Sequence, residues 1–243
     1  MVLSNCTPRK KLTYFQGNLS NTQANKNYTP TLKPDDVLSI TVMSLDEIAV
    51  KPFNLPFTTI NQNMGGYSQG FPSPPGYLID AEGSIDFPVL GKIKLGGLTR
   101  QAAIDLLKEQ LKTYLNNPTI ILRILNYKVT VLGEVRNPGT FTIPNERVTL
   151  LEAIGIAGDL QITALRKNVI VVRENEGKRT ETLVDLTSKD LFSSPVYYLQ
   201  QNDVVYVEPN RAKRNSSAIN ASNVSLVVSV ISLLITVAVL FRQ

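Results

Sequence analysis

Val131-Leu132-Gly133-Glu134-Val135-Arg136-Asn137-Pro138-Gly139 is the stretch on which the fold turns. Apolar residues run into a glycine, a polar segment follows, and Pro138-Gly139 closes it, which is the composition of a turn between strands. Upstream, Lys128 to Leu132 alternates as a strand does; downstream, Phe141-Thr142-Ile143 is a second strand. Thr149 caps a short helix, Leu150 to Ala157, that Gly158 ends. Asn168 to Arg173 and Glu181 to Leu186 read as strands around the turn Asn175-Glu176-Gly177-Lys178, and Asp203 to Val207 is the closing strand. One helix among short strands in this order predicts a β-grasp-like unit over residues 127–208. Gly133, Pro138, Gly139 and Gly158 are expected to set turns and a helix cap rather than to touch a ligand.

Working back from that unit, residues 31–126 form another. Val37 to Val42 follows the turn residues Lys33-Pro34-Asp35-Asp36 and reads as a strand. Residues 52–76, rich in Pro, Gly, Asn and Gln, show no period and are read as a loop insertion. Tyr77 to Asp80 and Ser84 to Phe87 flank Ala81-Glu82-Gly83 as a hairpin would, and Val89 to Leu95 continues the strand character. Thr99 caps an amphipathic helix through Ala102, Ala103, Leu106, Leu107, Leu111 and Leu115, stopped by Asn116-Asn117-Pro118, before a strand at Thr119 to Leu125. The fold class is therefore α+β.

Charge is segregated along the chain. All 20 acidic residues lie between Asp35 and Glu208, alongside 16 basic ones, so the body carries −4 while the ends supply +9. Basic tails fit attraction to anionic lipid headgroups; a nucleic-acid binder would carry its cations on a folded face, so no nucleic-acid partner is expected. The chain has no His and one Cys. That removes nearly all zinc, Ser-His-Asp and Cys-His chemistry and any intrachain disulfide. No carboxylate pair presents itself as general acid and base, and the glycines near Lys92 lack the spacing of a phosphate loop. No catalytic, cofactor or metal site is expected.

The two ends carry the remaining signals. Cys6, in Val2-Leu3-Ser4-Asn5-Cys6, precedes a polar stretch, Thr7 to Asn27, with little capacity to fold. Its functional reading is a lipoprotein box whose cysteine is acylated, with residues 1–30 as a tether, although Met1 to Asn5 is too short to hold the apolar part of a signal peptide. Beyond a basic, polar linker at 209–223, residues 224–241 hold no charge over 18 positions, about 27 Å of helix at 1.5 Å per residue. That length suits a thin bilayer. Ser225, Ser229, Ser232 and Thr236 fall at roughly 0°, 40°, −20° and 20° around such a helix, with Ser222 near 60°, as one hydroxyl stripe on an aliphatic cylinder. The stripe is either a close-packing seam in lipid or a wall facing water, and both readings require partner helices.

Taken together, Leu32-Lys33-Pro34-Asp35-Asp36-Val37-Leu38, Tyr77 to Ile85, Phe87 to Ile93, Gly97-Leu98-Thr99-Arg100 and Asn117-Pro118 resemble the export domain of the polysaccharide export proteins of the Gram-negative outer membrane, the Wza type. Val131 to Gly139, Leu151 to Gly158 and Asn202 to Val207 resemble their soluble-ligand-binding β-grasp domain. The resemblance implies a non-enzymatic channel for capsular or extracellular polysaccharide, with the body in the periplasm. It implies a homo-oligomeric ring (an octamer in the family), an inner-membrane polysaccharide co-polymerase as partner, and C-terminal transmembrane helices forming an α-barrel lined by Ser222, Ser225, Ser229, Ser232 and Thr236. Eight helices ~10 Å apart enclose a lumen ~16 Å across, wide enough for a hydrated sugar chain. The best-known members carry two β-grasp repeats where this chain has room for one, so a shorter periplasmic ring is expected. The alternative is a tail-anchored ligand-binding module without a pore, with Arg211, Lys213 and Arg214 on the cytoplasmic side.

Overall fold

Alternation in Val37–Met43 (β1) places Leu38, Ile40 and Val42 on one buried face. In the computed structural model, which describes residues 12–17, 29–56, 58–60, 71–73, 76–145, 147–175, 177–218, 229 and 232, these three lie opposite Ile124, Leu122 and Ile120 of an antiparallel strand. Glu47–Val50 (α1) follows, capped by the Asp46 carboxylate, and a 3-10 turn at Lys51–Phe53 drives Phe53 into the core. The expected loop at 52–76 is therefore structured at its start. Asn54 acts there as a surrogate strand: its side chain accepts from Val42 N–H at 2.8 Å and donates to Val42 C=O at 2.9 Å, satisfying one edge of β1. Within the same segment Thr58–Ile60 (β2) pairs with Phe71–Ser73 (β3).

The hairpin expected between 77–80 and 84–87 is corrected. Its turn is present, since Asp80 Oδ1 accepts from Ser84 N–H at 2.7 Å and Gly83 N–H donates to Asp80 C=O at 2.9 Å. The strands it joins pair elsewhere: Tyr77–Leu78 (β4) adds to β1, and Ser84–Phe87 (β5) pairs with Gly91–Lys94 (β6). Local turn chemistry fixes the reversal, whereas the choice of partner strand is a long-range matter of which apolar face can be covered. Helix Arg100–Leu111 (α2) is capped by Thr99, whose hydroxyl accepts from Ala102 N–H, and buries Ala103, Leu107 and Leu111 beside Thr119–Ile124 (β7). β4, β1 and β7 form a three-stranded antiparallel sheet.

The second unit opens with Lys128–Gly133 (β8) and Gly139–Thr142 (β9), with Val148–Thr149 (β10) leading into Leu150–Ile156 (α3). Thr149 and Glu152 complete a capping box at the start of α3. A long hairpin follows, Ala164–Asn175 (β11) and Lys178–Val184 (β12), then Tyr198–Leu199 (β13) and Val204–Pro209 (β14). The sheet runs β12-β11-β14-β8-β9, with β14 and β8 the parallel pair. Val129, Val131, Val169, Val171, Val205 and Val207 form its buried face. α3 packs beside β8 and buries Leu150, Ala153 and Ile154. A helix over a mixed sheet with its parallel pair inside fits the β-grasp-like expectation. Arg211–Ala218 (α4) then occupies much of the stretch read as linker; its eight residues are polar or small, so no apolar period announced it.

Candidate functional site

The stretch Gly133 to Gly139 organises one end of the second unit. Gly133 has φ +90°, and a Cβ there would lie 2.1 Å from Val207 C=O, so the parallel strand approaches a backbone that only glycine can present. Glu134 follows, nearly buried, and accepts the Thr163 hydroxyl at 2.5 Å, with Lys213 Nζ of α4 at 3.7 Å. Arg136 N–H donates to Asp159 C=O and Asn137 N–H to Ala157 C=O, so the stretch is laced to the end of α3. That helix ends in a Schellman arrangement, with Gly158 at φ +80° and Asp159 N–H donating to Ile154 C=O at 3.0 Å.

Onto the same end comes the N-terminal segment. The Tyr14 hydroxyl donates to Asp159 Oδ1 at 2.5 Å, and the Tyr14 ring lies beneath the buried Arg166 guanidinium, 5.4 Å from its centroid. Burial and the Asp159 carboxylate push the Tyr14 hydroxyl well above the usual tyrosine range. Phe15 stacks on Phe192 at 5.6 Å, its N–H donates to Leu186 C=O, and Gln16 N–H donates to Thr187 C=O at 2.5 Å. The expectation of a polar stretch with little capacity to fold is thus corrected for these residues, because Tyr14 packs half-buried against the core and the Phe15 and Gln16 backbone bonds hold the segment beside it. Cys6 lies outside the described residues, six positions before Leu12.

At the other terminus, Asn210 N–H donates to Thr163 C=O and Asn210 Oδ1 accepts from Lys213 N–H, rooting α4 beside Glu134. The N-terminal segment and the root of α4 therefore both seat on the short span Glu134–Arg136 and Asp159–Thr163. Of the hydroxyl stripe, Ser229 and Ser232 are helical and exposed; Ser222, Ser225 and Thr236 lie outside the described residues. Among the described residues no helix is long and apolar enough to cross a membrane.

Between the two units, Lys33 Nζ donates to Asn175 Oδ1 at 2.7 Å and to Gln200 Oε1 at 2.8 Å, while within the second unit the buried Tyr127 hydroxyl donates to Leu199 C=O at 2.8 Å and anchors its first residue. Gln201 joins them further, accepting from Lys128 N–H and donating to Asn126 C=O. Beside this junction opens a cleft of about 540 Å³, around which Arg100, Gln101, Arg123, Asn145 and Arg147 gather. No described residue lining it is acidic. The sequence pattern missed this cluster because its cations come from α2, β7 and the segment before β10.

An α+β unit is thus followed by a helix-covered mixed sheet, and two comparisons bear on the pair. A family model described as polysaccharide biosynthesis/export protein matches residues 23–125, and one for the SLBB domain matches 127–207. The chain thus carries, in order over residues 23–207, the export domain and the SLBB domain of the polysaccharide export proteins. Its relatives include the EPS I polysaccharide export outer membrane protein EpsA of Ralstonia solanacearum, 29% identical over 182 residues, which are 72% of this chain and 46% of that protein. The capsule polysaccharide export outer membrane protein CtrA of Neisseria meningitidis is 27% identical over 179 residues, 71% of this chain and 44% of that protein. The chain thus spans about half the length of the curated relatives it matches. Like them, it is an outer-membrane protein.

Proposed function

We propose that this chain is a non-enzymatic subunit of a ring-shaped conduit that passes capsular or extracellular polysaccharide across the outer membrane. The observation that carries the proposal is the shared seat of the two termini. Tyr14 rests on Asp159 and Lys213 approaches Glu134, while Val135 bridges to Leu160, so both ends leave from one small surface of the SLBB domain. Chain connectivity keeps Cys6 within about 20 Å of Leu12. A lipid on Cys6 and a helix at 224–241 would then enter one membrane from one side, with the body beneath it in the periplasm. Assembled side by side, the helices would turn Ser222, Ser225, Ser229, Ser232 and Thr236 toward a water-filled lumen, where neutral hydroxyls offer a passing sugar chain weak, exchangeable hydrogen bonds. Energy and polymer would come from an inner-membrane co-polymerase.

The decisive measurement is the mass of the detergent-solubilised assembly together with palmitate labelling of Cys6. A ring of labelled subunits is the expected result; an unlabelled monomer in the inner membrane would support a tail-anchored ligand-binding module instead. Replacing the five hydroxyl residues with Leu is expected to leave membrane attachment intact and to abolish export.

A further inference from the structure

The cleft between the two domains has a chemistry that the conduit reading alone does not require. The body of the chain is net acidic, −4 between Asp35 and Glu208, so cations gathered at one place run against its average. Arg100 opens α2, Arg123 lies on β7, and Arg147 precedes β10, yet the three residues line one cavity with Gln101, whose Nε2 also donates to Asp105 Oδ1 at 3.0 Å, and Asn145. Arg123 is exposed and forms no ion pair among the described residues. Among the described residues Arg147 is held in place without an ion pair: its guanidinium lies 4.5 Å from the Tyr198 ring centroid, and Nη2 donates to the Tyr198 hydroxyl at 2.9 Å. A cation–π contact and one neutral hydrogen bond orient the group and leave its other donors for an anion. Glu146 lies outside the described residues.

We infer that this cleft is a recognition subsite for an acidic sugar residue, a uronate-type carboxylate, in the polysaccharide that the chain conducts. The inference rests on the export function proposed above. Planar guanidinium groups match a carboxylate in bidentate fashion, and amide side chains supply the donor–acceptor pairs that hydroxyls require. The volume falls in the range that encloses a small ligand, so it holds a sugar unit or two and leaves the rest of the polymer outside. A nucleic acid is the weaker fit, because its charge recurs at every phosphate and would meet the net-acidic body on either side of the cleft. Exposed arginines bind weakly in high dielectric, which suits a subsite that must release the chain as it advances.

The test uses the full chain purified in detergent, with trigalacturonate and maltotriose as probes of equal length and opposite charge character, followed by calorimetry. Trigalacturonate is expected to bind, more weakly as ionic strength rises, and maltotriose not to bind. The double variant R123Q/R147Q should lose about tenfold or more in affinity, the equivalent of one to two charge-assisted hydrogen bonds. R123Q alone, which removes a side chain without an ion pair, should show part of that loss at an unchanged melting temperature. Equal binding of maltotriose, or undiminished trigalacturonate binding by the double variant, would overturn the subsite. Displacement by equimolar inorganic phosphate would reduce it to an anion site without sugar recognition, and tighter binding of oligothymidylate would assign it to nucleic acid; either outcome refutes the inference. The assembly mass separates this inference from the export reading. A ring that fails to bind trigalacturonate removes the subsite alone, while a monomer that binds it removes the conduit alone.

Discussion

Tyr14 and Asp159, 145 positions apart, are joined by a hydrogen bond of 2.5 Å that fastens the N-terminal segment to the end of α3. Asp159 is held for this role. Its φ of 69° follows the helix end, and its Oδ1 also accepts from Leu160 N–H at 2.6 Å, which fixes the carboxylate where Tyr14 arrives. The substitution Tyr14→Phe removes that bond and leaves the ring. The expected cost is about 1–2 kcal/mol, felt as local opening of residues 12–17 and not as global unfolding. Hydrogen exchange at Phe15 and Gln16 measures it.

The same contact carries a pH dependence whose sign follows from the raised Tyr14 hydroxyl. The docked state holds the proton more tightly than the free segment, so docking is fully present below the ordinary tyrosine value of about 10 and weakens as pH rises above it. Protease cutting within residues 12–17 should therefore accelerate above that pH in the parent protein, measured against a reference peptide cut by the same protease. In Tyr14→Phe, which has no hydroxyl to titrate, cutting should start faster and show no such acceleration.

Gly133 is a position where no other residue fits. Any Cβ collides with the Val207 carbonyl and must also adopt a positive φ, and relief would require separating the parallel pair β8 and β14. Gly133→Ala is expected to cost about 3 kcal/mol or more, against the roughly 1 kcal/mol of an ordinary strand substitution. Urea unfolding followed by far-ultraviolet circular dichroism checks it, and a loss below about 1 kcal/mol would show that β8 slides away from Val207.

How much of this was legible in the sequence depends on the range of the physics involved. Alternation in Val37–Met43 and Thr119–Ile124, and the caps at Thr99 and Thr149, act within a few residues, and each element formed near its expected place. Tyr77–Leu78 pairs with β1 and not across its own turn because the partner is chosen by a face 40 residues away. Tyr14 and Phe15 were hidden by polar neighbours, since a contact with Phe192 and Asp159 leaves no period in the chain. The arginine cleft is the extreme case: three single cations on separate elements carry no local signal, and only the junction of the domains collects them.

Tyr77 offers a test in the opposite direction. Its ring stacks on Phe87 at 5.3 Å in the core, but its hydroxyl is buried with no hydrogen-bond partner among the described residues, and burial pushes it up to about 12. A buried unpaired hydroxyl is unfavourable, so Tyr77→Phe should keep the packing and be neutral or stabilising by up to about 1 kcal/mol. A thermal shift to lower temperature would show that the hydroxyl does find a partner.

Arg173 and Asp203 decide how a buried charge is tolerated in the SLBB domain. Asp203 is 1% exposed and accepts from Arg173 Nε at 3.0 Å and Nη2 at 2.7 Å, and from Gln200 N–H at 2.7 Å. Arg173 also donates to Tyr198 C=O, so the pair ties β11 to the turn before β14 and to the strand that carries Tyr198. The attraction between them and the cost of removing both from water are of similar size, so the pair itself adds little. Removing one partner is different. Arg173→Met leaves the Asp203 carboxylate buried against the Gln200 N–H and should cost about 3–5 kcal/mol, while Arg173→Met with Asp203→Leu should recover much of that loss. The recovery will be partial, because Gln200 N–H and Tyr198 C=O lose their partners in the double variant. A double-mutant cycle by chemical denaturation measures the difference, and equal losses in the single and double variants would mean that the backbone bonds, not the charges, hold this corner together.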